Sequence, residues 1–188
     1  MAIFIIGIVL GIIWGIIKLS MNNNALNDNI SKQETIIQEN DITIAKELTY
    51  RTLEPRWFWR FIVDDLKQNI HIIDANNNMV SIPYAHLLGC EVVQDNEVTG
   101  GIKRAIAGGI IAGGAGAIIG ANTAKVKVTS FGIIIYQDDL STPQIPITLI
   151  DKETKKNHVD YINACTFANE VTATIKLLIH RQEVSTTT

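Results

Sequence analysis

The chain has 188 residues, a net charge of −3 and 19% charged residues, enough for one modest domain with accessory segments and without a general attraction for polyanions. Its two cysteines, Cys90 and Cys165, lie far apart with no CxxC or Cys/His spacing. That excludes a disulfide framework or a zinc site and fits buried free thiols in a reducing compartment.

Residues 1–20 decide the class. Ala2–Leu19 is apolar until Lys18 and as a helix spans about 27 Å, enough for one membrane crossing. Gly7, Gly11 and Gly15 recur every fourth residue and give this helix a smooth face for pairing, whether as a transmembrane segment or as a plug. No Lys or Arg precedes the apolar run and no Ala-x-Ala site follows it, which argues against a cleaved signal peptide. Lys18, Lys32 and Lys46 all come after it, so the positive-inside rule places the N-terminus outside and the bulk in the cytoplasm.

Residues 21–55 are a polar spacer and a connecting helix. Asn22–Asn29 is too polar to pack, and Ser31-Lys32-Gln33-Glu34 has the pattern of a capping box that starts a helix. Ile30, Ile37 and Ile44 fall seven apart, with Leu48 nearby. A short oligomeric stalk and a helix packed on the domain both satisfy that spacing.

Residues 56–182 read as an α+β domain. Phe58–Val63, Asn69–Asp74, Met79–Pro83, Cys90–Gln94, Lys125–Ser130, Gly132–Tyr136 and Ile145–Ile150 are short β-type runs. Asp74–Asn78 is a turn and Tyr84–Leu88 a helical turn. Val159–Arg181 is an amphipathic helix with Ala164, Ala168, Val171, Ile175 and Leu178 on one face, and residues 183–188 form a frayed tail. The domain is interrupted at residues 100–124 by GGIKRAIAGGIIAGGAGAIIGANTA, where Gly108, Ala112, Gly116 and Gly120 form one row of small residues and Gly109, Gly113, Ala117 and Ala121 another. Rows at this spacing let helix backbones approach closely, as in membrane helices. Flexible linkers are polar, whereas this run is rich in Ile.

Six or seven antiparallel strands followed by one amphipathic helix resemble the pleckstrin-homology-like (PH-like) plan. The glycine run resembles a segment that interrupts PH-like domains of bacterial membrane-associated proteins. Gly100, Gly101, Arg104, Ala105, Gly108, Gly109, Gly113, Gly114, Gly116, Ala117 and Gly120 carry the match. The resemblance implies a protein of the bacterial inner (cell) membrane, and the rows of small residues imply a homo-oligomer. In overall plan the chain is also similar to Hailong-type anti-phage effectors, which implies a gated ion channel and a nucleotide or oligonucleotide ligand. The other reading is a membrane-anchored adaptor that binds lipid or protein through its PH-like domain.

Each half of the domain is too small to fold alone, so both belong on one side of the membrane. A single crossing by Ile102–Ala124 would separate them, and two crossings need about 40 residues. The run is therefore either a helical hairpin turning at Gly113-Gly114 and entering part of the bilayer, or a segment packed on partner chains outside it.

No catalytic, metal or cofactor motif is present: His71, His86, His158 and His180 are isolated, and Met79 and Ala85 break the calcium-loop pattern begun by Asp74. A non-enzymatic protein is expected. Asp64-Asp65 and Asp138-Asp139 read as solvated turn residues. Arg56-Trp57-Phe58-Trp59-Arg60 combines cations with stacking surfaces, as an anionic ligand or lipid headgroup requires, and core aromatics flanked by snorkelling arginines give the same pattern. Lys103, Arg104, Lys125 and Lys127 bracket the glycine run at headgroup level.

Overall fold

A computed structural model describes residues 27–52, 58–103 and 126–186. Helix α1 covers 27–39. It is followed by β1 (Lys46–Arg51), β2 (Phe58–Asp64), β3 (Asn69–Ile73) and β4 (Met79–Pro83). A 3-10 turn at Tyr84–His86 leads to β5 (Leu87–Gln94) and β6 (Glu97–Lys103). Then come β7 (Lys127–Val128), β8 (Phe131–Gln137), β9 (Gln144–Ile150), β10 (Thr154–Lys155) and helix α2 (Val159–Thr186).

The strands build an antiparallel meander β1-β2-β3-β4, a second sheet in the order β6-β5-β8-β9, and a ribbon β10-β7. β2 and β3 are nearly continuous apolar runs because both of their faces are covered. Phe61, Val63, Ile70 and Ile72 face the main core, while Ile62 and Ile73 face Ile37 and Ile42 under α1. β8 has one covered face and alternates accordingly, with Phe131, Ile133 and Ile135 pointing inward. α2 closes the core, and the five residues expected on its inner face, Ala164, Ala168, Val171, Ile175 and Leu178, are all 2% exposed or less. The architecture is α+β with antiparallel sheets and a C-terminal helix, as the sequence indicates.

Several expectations need correction. Ser31 lies inside α1, not at its start, and Glu34 pairs with Arg60 instead of capping the helix. Ile44 lies beyond α1 and is 43% exposed, and Leu48 belongs to β1, so the seven-residue spacing does not run along one helix. α1 ends where Asp41 takes a left-handed conformation (φ 48°) and Ile42 N donates to Ile37 O at 3.0 Å. α1 packs on the outer face of the meander. Helix α2 continues to Thr186, through most of the expected tail. Asp64 is fully buried, not solvated. The polypeptide from Gly100 to Lys103 is β6, so any helix in the glycine run starts no earlier than residue 104.

Gly132 is required by a close approach. A Cβ there would lie 2.5 Å from Ile147 O on β9, beside an irregularity in the β8–β9 register. Backbone cannot yield as a flexible side chain does, so Gly132→Ala is expected to destabilise by about 1–3 kcal/mol. Urea denaturation checks this, and an unchanged midpoint would show that the strands separate freely.

Candidate functional site

The glycine run is grafted into a hairpin. β5 and β8 pair from Leu87↔Gln137 to Gln94↔Phe131, so residues 95–130 leave and re-enter the sheet at the tip of that pair. Asp95 and Asn96 both adopt left-handed conformations (φ 50° and 66°), the requirement of a tight two-residue hairpin, and Asp and Asn tolerate it. The turn sends β6 back along the free edge of β5, from Gln94↔Glu97 to Gly89↔Lys103. On the return side, Val128 pairs with Thr154 and Lys127 with Lys155, and Lys156 N donates to Val126 O at 3.0 Å.

One carboxylate ties the ends together. Asp95 Oδ1 accepts from Thr129 N (2.7 Å), Thr129 Oγ1 (2.9 Å) and Ser130 N (3.3 Å), while Asp95 N donates to Ser130 O at 3.0 Å. Hydrogen bonds to an ionised acceptor are the strong kind, so the fork at Asp95 is a fixed point. Lys103 stands level with Gly89 and Thr129 near Gln94, five residues apart along β5 or about 17 Å. Because β5 and β8 come from the two halves of the chain, a segment crossing a membrane once between them is excluded. Asp95 was not singled out from the sequence: Asp-Asn between strand-like runs is a turn signal that could have marked it, but its role as a clamp could not be read, because Thr129 and Ser130 are distant in sequence.

The residues expected to bind anions do not form one surface among the described side chains. Arg60 is 4% exposed and donates from Nη1 to Glu34 (2.7 Å) and from Nε to Glu47 (2.6 Å). Burial pulls its pKa down, but hydrogen bonds to Glu47 and Glu34 outweigh this and hold it above the ordinary arginine value. The guanidinium therefore binds α1 and β1 to β2 and is not open to a ligand. Trp59 donates from Nε1 to Thr148 O at 3.0 Å, joining the two sheets. Lys127 pairs with Glu153 at 2.6 Å with both side chains half-exposed, a contact of little energetic weight. Lys103 ends β6. Arg56, Trp57, Arg104, Lys125 and the glycines Gly7, Gly11, Gly15, Gly108, Gly109, Gly113, Gly116 and Gly120 lie outside the described residues, as does the expected helix at 1–20. Among the described residues no helix is long and apolar enough to cross a membrane, and no group of three or more His, Cys, Asp or Glu is placed to hold a metal.

A buried polar cluster that the sequence did not reveal sits between β2, β3 and β4. His71 Nδ1 is 2.7 Å from Ser81 Oγ, and Nε2 is 3.9 Å from Asp64 Oδ2. Asp64 also accepts from Thr43 N (3.0 Å) and Lys67 N (2.9 Å). Burial lowers the His71 pKa, against the pull of Asp64. Burial would raise that of Asp64, but the backbone donors of Lys67 and Thr43 and the nearby His71 bring it below the usual value. Both folded-state pKa values are depressed. The stability each confers is complete above its unfolded value, about 6.5 for His and 3.9 for Asp, and is lost as pH falls through the folded one. Stability is thus expected to fall first below about pH 6.5 and again below about pH 4. Denaturation midpoints across that range test this, and His71→Gln should remove the first decline alone. Elsewhere, a hydrogen bond from Tyr136 to Glu91, aided by burial, pushes the tyrosine up to about 12.

A meander, a second antiparallel sheet and a closing C-terminal helix, with a glycine-rich insertion in the β5–β8 hairpin, define an interrupted PH-like domain. Residues 43–151, β1 through β9 with the insertion, match the family described as "Glycine zipper containing PH domain", and the chain belongs to it. No curated protein and no solved structure matches the chain. Membership supports association with membranes or other proteins at the level of class.

Proposed function

We propose that this is a homo-oligomeric bacterial inner-membrane protein in which glycine-zipper segments assemble an ion pathway or membrane-disrupting unit under the control of a cytoplasmic PH-like domain. Residues 1–20 anchor it with the N-terminus outside. The observation that carries the reading is the insertion rooted at both ends in one sheet, with small residues every fourth position in an apolar run. Such a segment can meet lipid or partner copies while the whole domain stays on one side. The β6–β5 pairing fixes the outgoing root, and Asp95 with the β7–β10 ribbon fixes the return root, so a change in how the domains pack would be passed to the zipper. No charged residue interrupts residues 105–124, so the gate in this scheme is hydrophobic and works by dewetting. An anti-phage role follows from the plan of the chain alone.

The second reading is an adaptor whose zipper only assembles it. Dye release from liposomes separates the two: leakage supports the pathway, and tight vesicles in which the protein is inserted and oligomeric leave the adaptor. Gly109→Leu with Gly113→Leu should abolish oligomers under both readings. Unchanged assembly by light scattering in detergent would refute the zipper.

A further inference from the structure

A groove of about 350 Å³ lies between the start of β1, the end of β2 and the second half of α2. Val63 and Leu178 are its buried apolar members, and Leu177, 49% exposed, stands on its wall. Two cations and the carboxylate of Asp65 border it, and the cations differ in their partners. Arg181 lies 3.6 Å from Asp65, a carboxylate that also accepts from Tyr84 OH at 2.9 Å. Lys46 instead donates from Nζ to the neutral Thr174 Oγ1 at 2.9 Å, and that hydroxyl gives its own proton to Glu170 O at 2.8 Å. Among the described residues no carboxylate stands within ion-pair distance of Lys46.

Holding a lysine costs rotamer entropy, and here no opposite charge offsets it. An ammonium held at the edge of an apolar groove matches a molecule with one anionic head and a straight apolar tail: the head takes the donors that Thr174 leaves free, and the tail covers the exposed Ala45, Ala173 and Leu177, with Val63 and Leu178 beneath them. A volume of this size falls in the range of small-molecule sites. We propose that this groove binds a medium-chain carboxylate, with Lys46 as the residue that selects the negative head. The groove shares no residue with the zipper or the Asp95 fork, so it stands or falls independently of the membrane pathway.

The test uses full-length protein in nanodiscs and a ten-carbon carboxylate carrying a photoreactive diazirine on its tail. Labelling should map by mass spectrometry to the α2 segment around Ala173–Arg181. Decanoate should compete, and decyltrimethylammonium, with the opposite charge, should not. Lys46→Met should weaken labelling about tenfold or more, the scale of a lost charged hydrogen bond. Leu177→Trp, which fills the groove from an exposed position, should block it while leaving the circular dichroism spectrum unchanged. Equal competition by the cationic amphiphile, or undiminished labelling of Lys46→Met, would overturn the proposal.

Discussion

Replacing residues 104–125 with a flexible twelve-residue Gly/Ser linker is expected to yield a domain with native stability and no oligomers. β5 pairs with β8 and β6 with β5 without any contribution from 104–125. Both roots are fixed by groups outside it: the outgoing end by the β6–β5 pairing at Gly89↔Lys103, and the return end by Asp95 with Thr129 and Ser130 together with the β7–β10 ribbon. The linker must cover about 17 Å along β5. A Gly/Ser chain of twelve residues has a root-mean-square span of about 19 Å, so it reaches without strain. The denaturation midpoint should stay within about 0.5 kcal/mol of the parent, the usual range for changes away from packed groups. The oligomeric state in detergent should drop to monomer. A variant that cannot fold would show that the insertion is part of the core; one that stays oligomeric would assign assembly to another segment, with residues 1–20 first among them.

Arg60→Met is expected to cost about 2–4 kcal/mol, between an exposed ion pair and a fully buried one. The guanidinium is buried, while Glu47 is 25% and Glu34 49% exposed, so water stabilises the orphaned carboxylates only in part. The damage should be uneven. Arg60 is a charged link from α1 to β1 and β2, and among the described residues the other contacts of α1 include the packing of Ile36 and Ile37 against Ile62, Ile73 and Met79 and the Asn29 and Gln33 amides on the β3–β4 turn. Amide exchange should therefore rise most across 27–39. Arg60→Lys should rescue only part of the loss, because a single ammonium cannot repeat the forked contact to two carboxylates. A loss under 0.5 kcal/mol would show that the apolar contacts alone hold α1.

These two expectations also mark what sequence could and could not disclose. Strand existence and the inner face of α2 were legible because they rest on local pattern: Ile133–Tyr136 is a short β-branched and aromatic run, and Ala164 to Leu178 recur at helical spacing. β1 was missed because Leu48 and Tyr50 are its only inward apolar residues, set among Lys46, Glu47 and Arg51. β6 was missed because Gly100 and Gly101 have low strand propensity, and its place is decided by the Asp95-Asn96 turn and the open edge of β5. Arg60 could be read either as a ligand residue or as part of a core, because a cation beside aromatics looks the same in both. Only tertiary partners distinguish them, and both carboxylates lie at least 13 positions away in sequence. The fork at Asp95 is hidden for the same reason.

The position of the insertion within the β5–β8 pair also orders events during synthesis. β1 to β4 form a meander of adjacent strands and can collapse as soon as they emerge. β5 cannot gain its central neighbour until residues 131–137 leave the ribosome, after the whole apolar stretch has already done so. Translation runs at about 5–20 residues per second, so the greasy segment waits for seconds beside an unfinished sheet. Between those two moments an open strand edge and an apolar chain are exposed together, a hazard that ends only when β8 closes on β5.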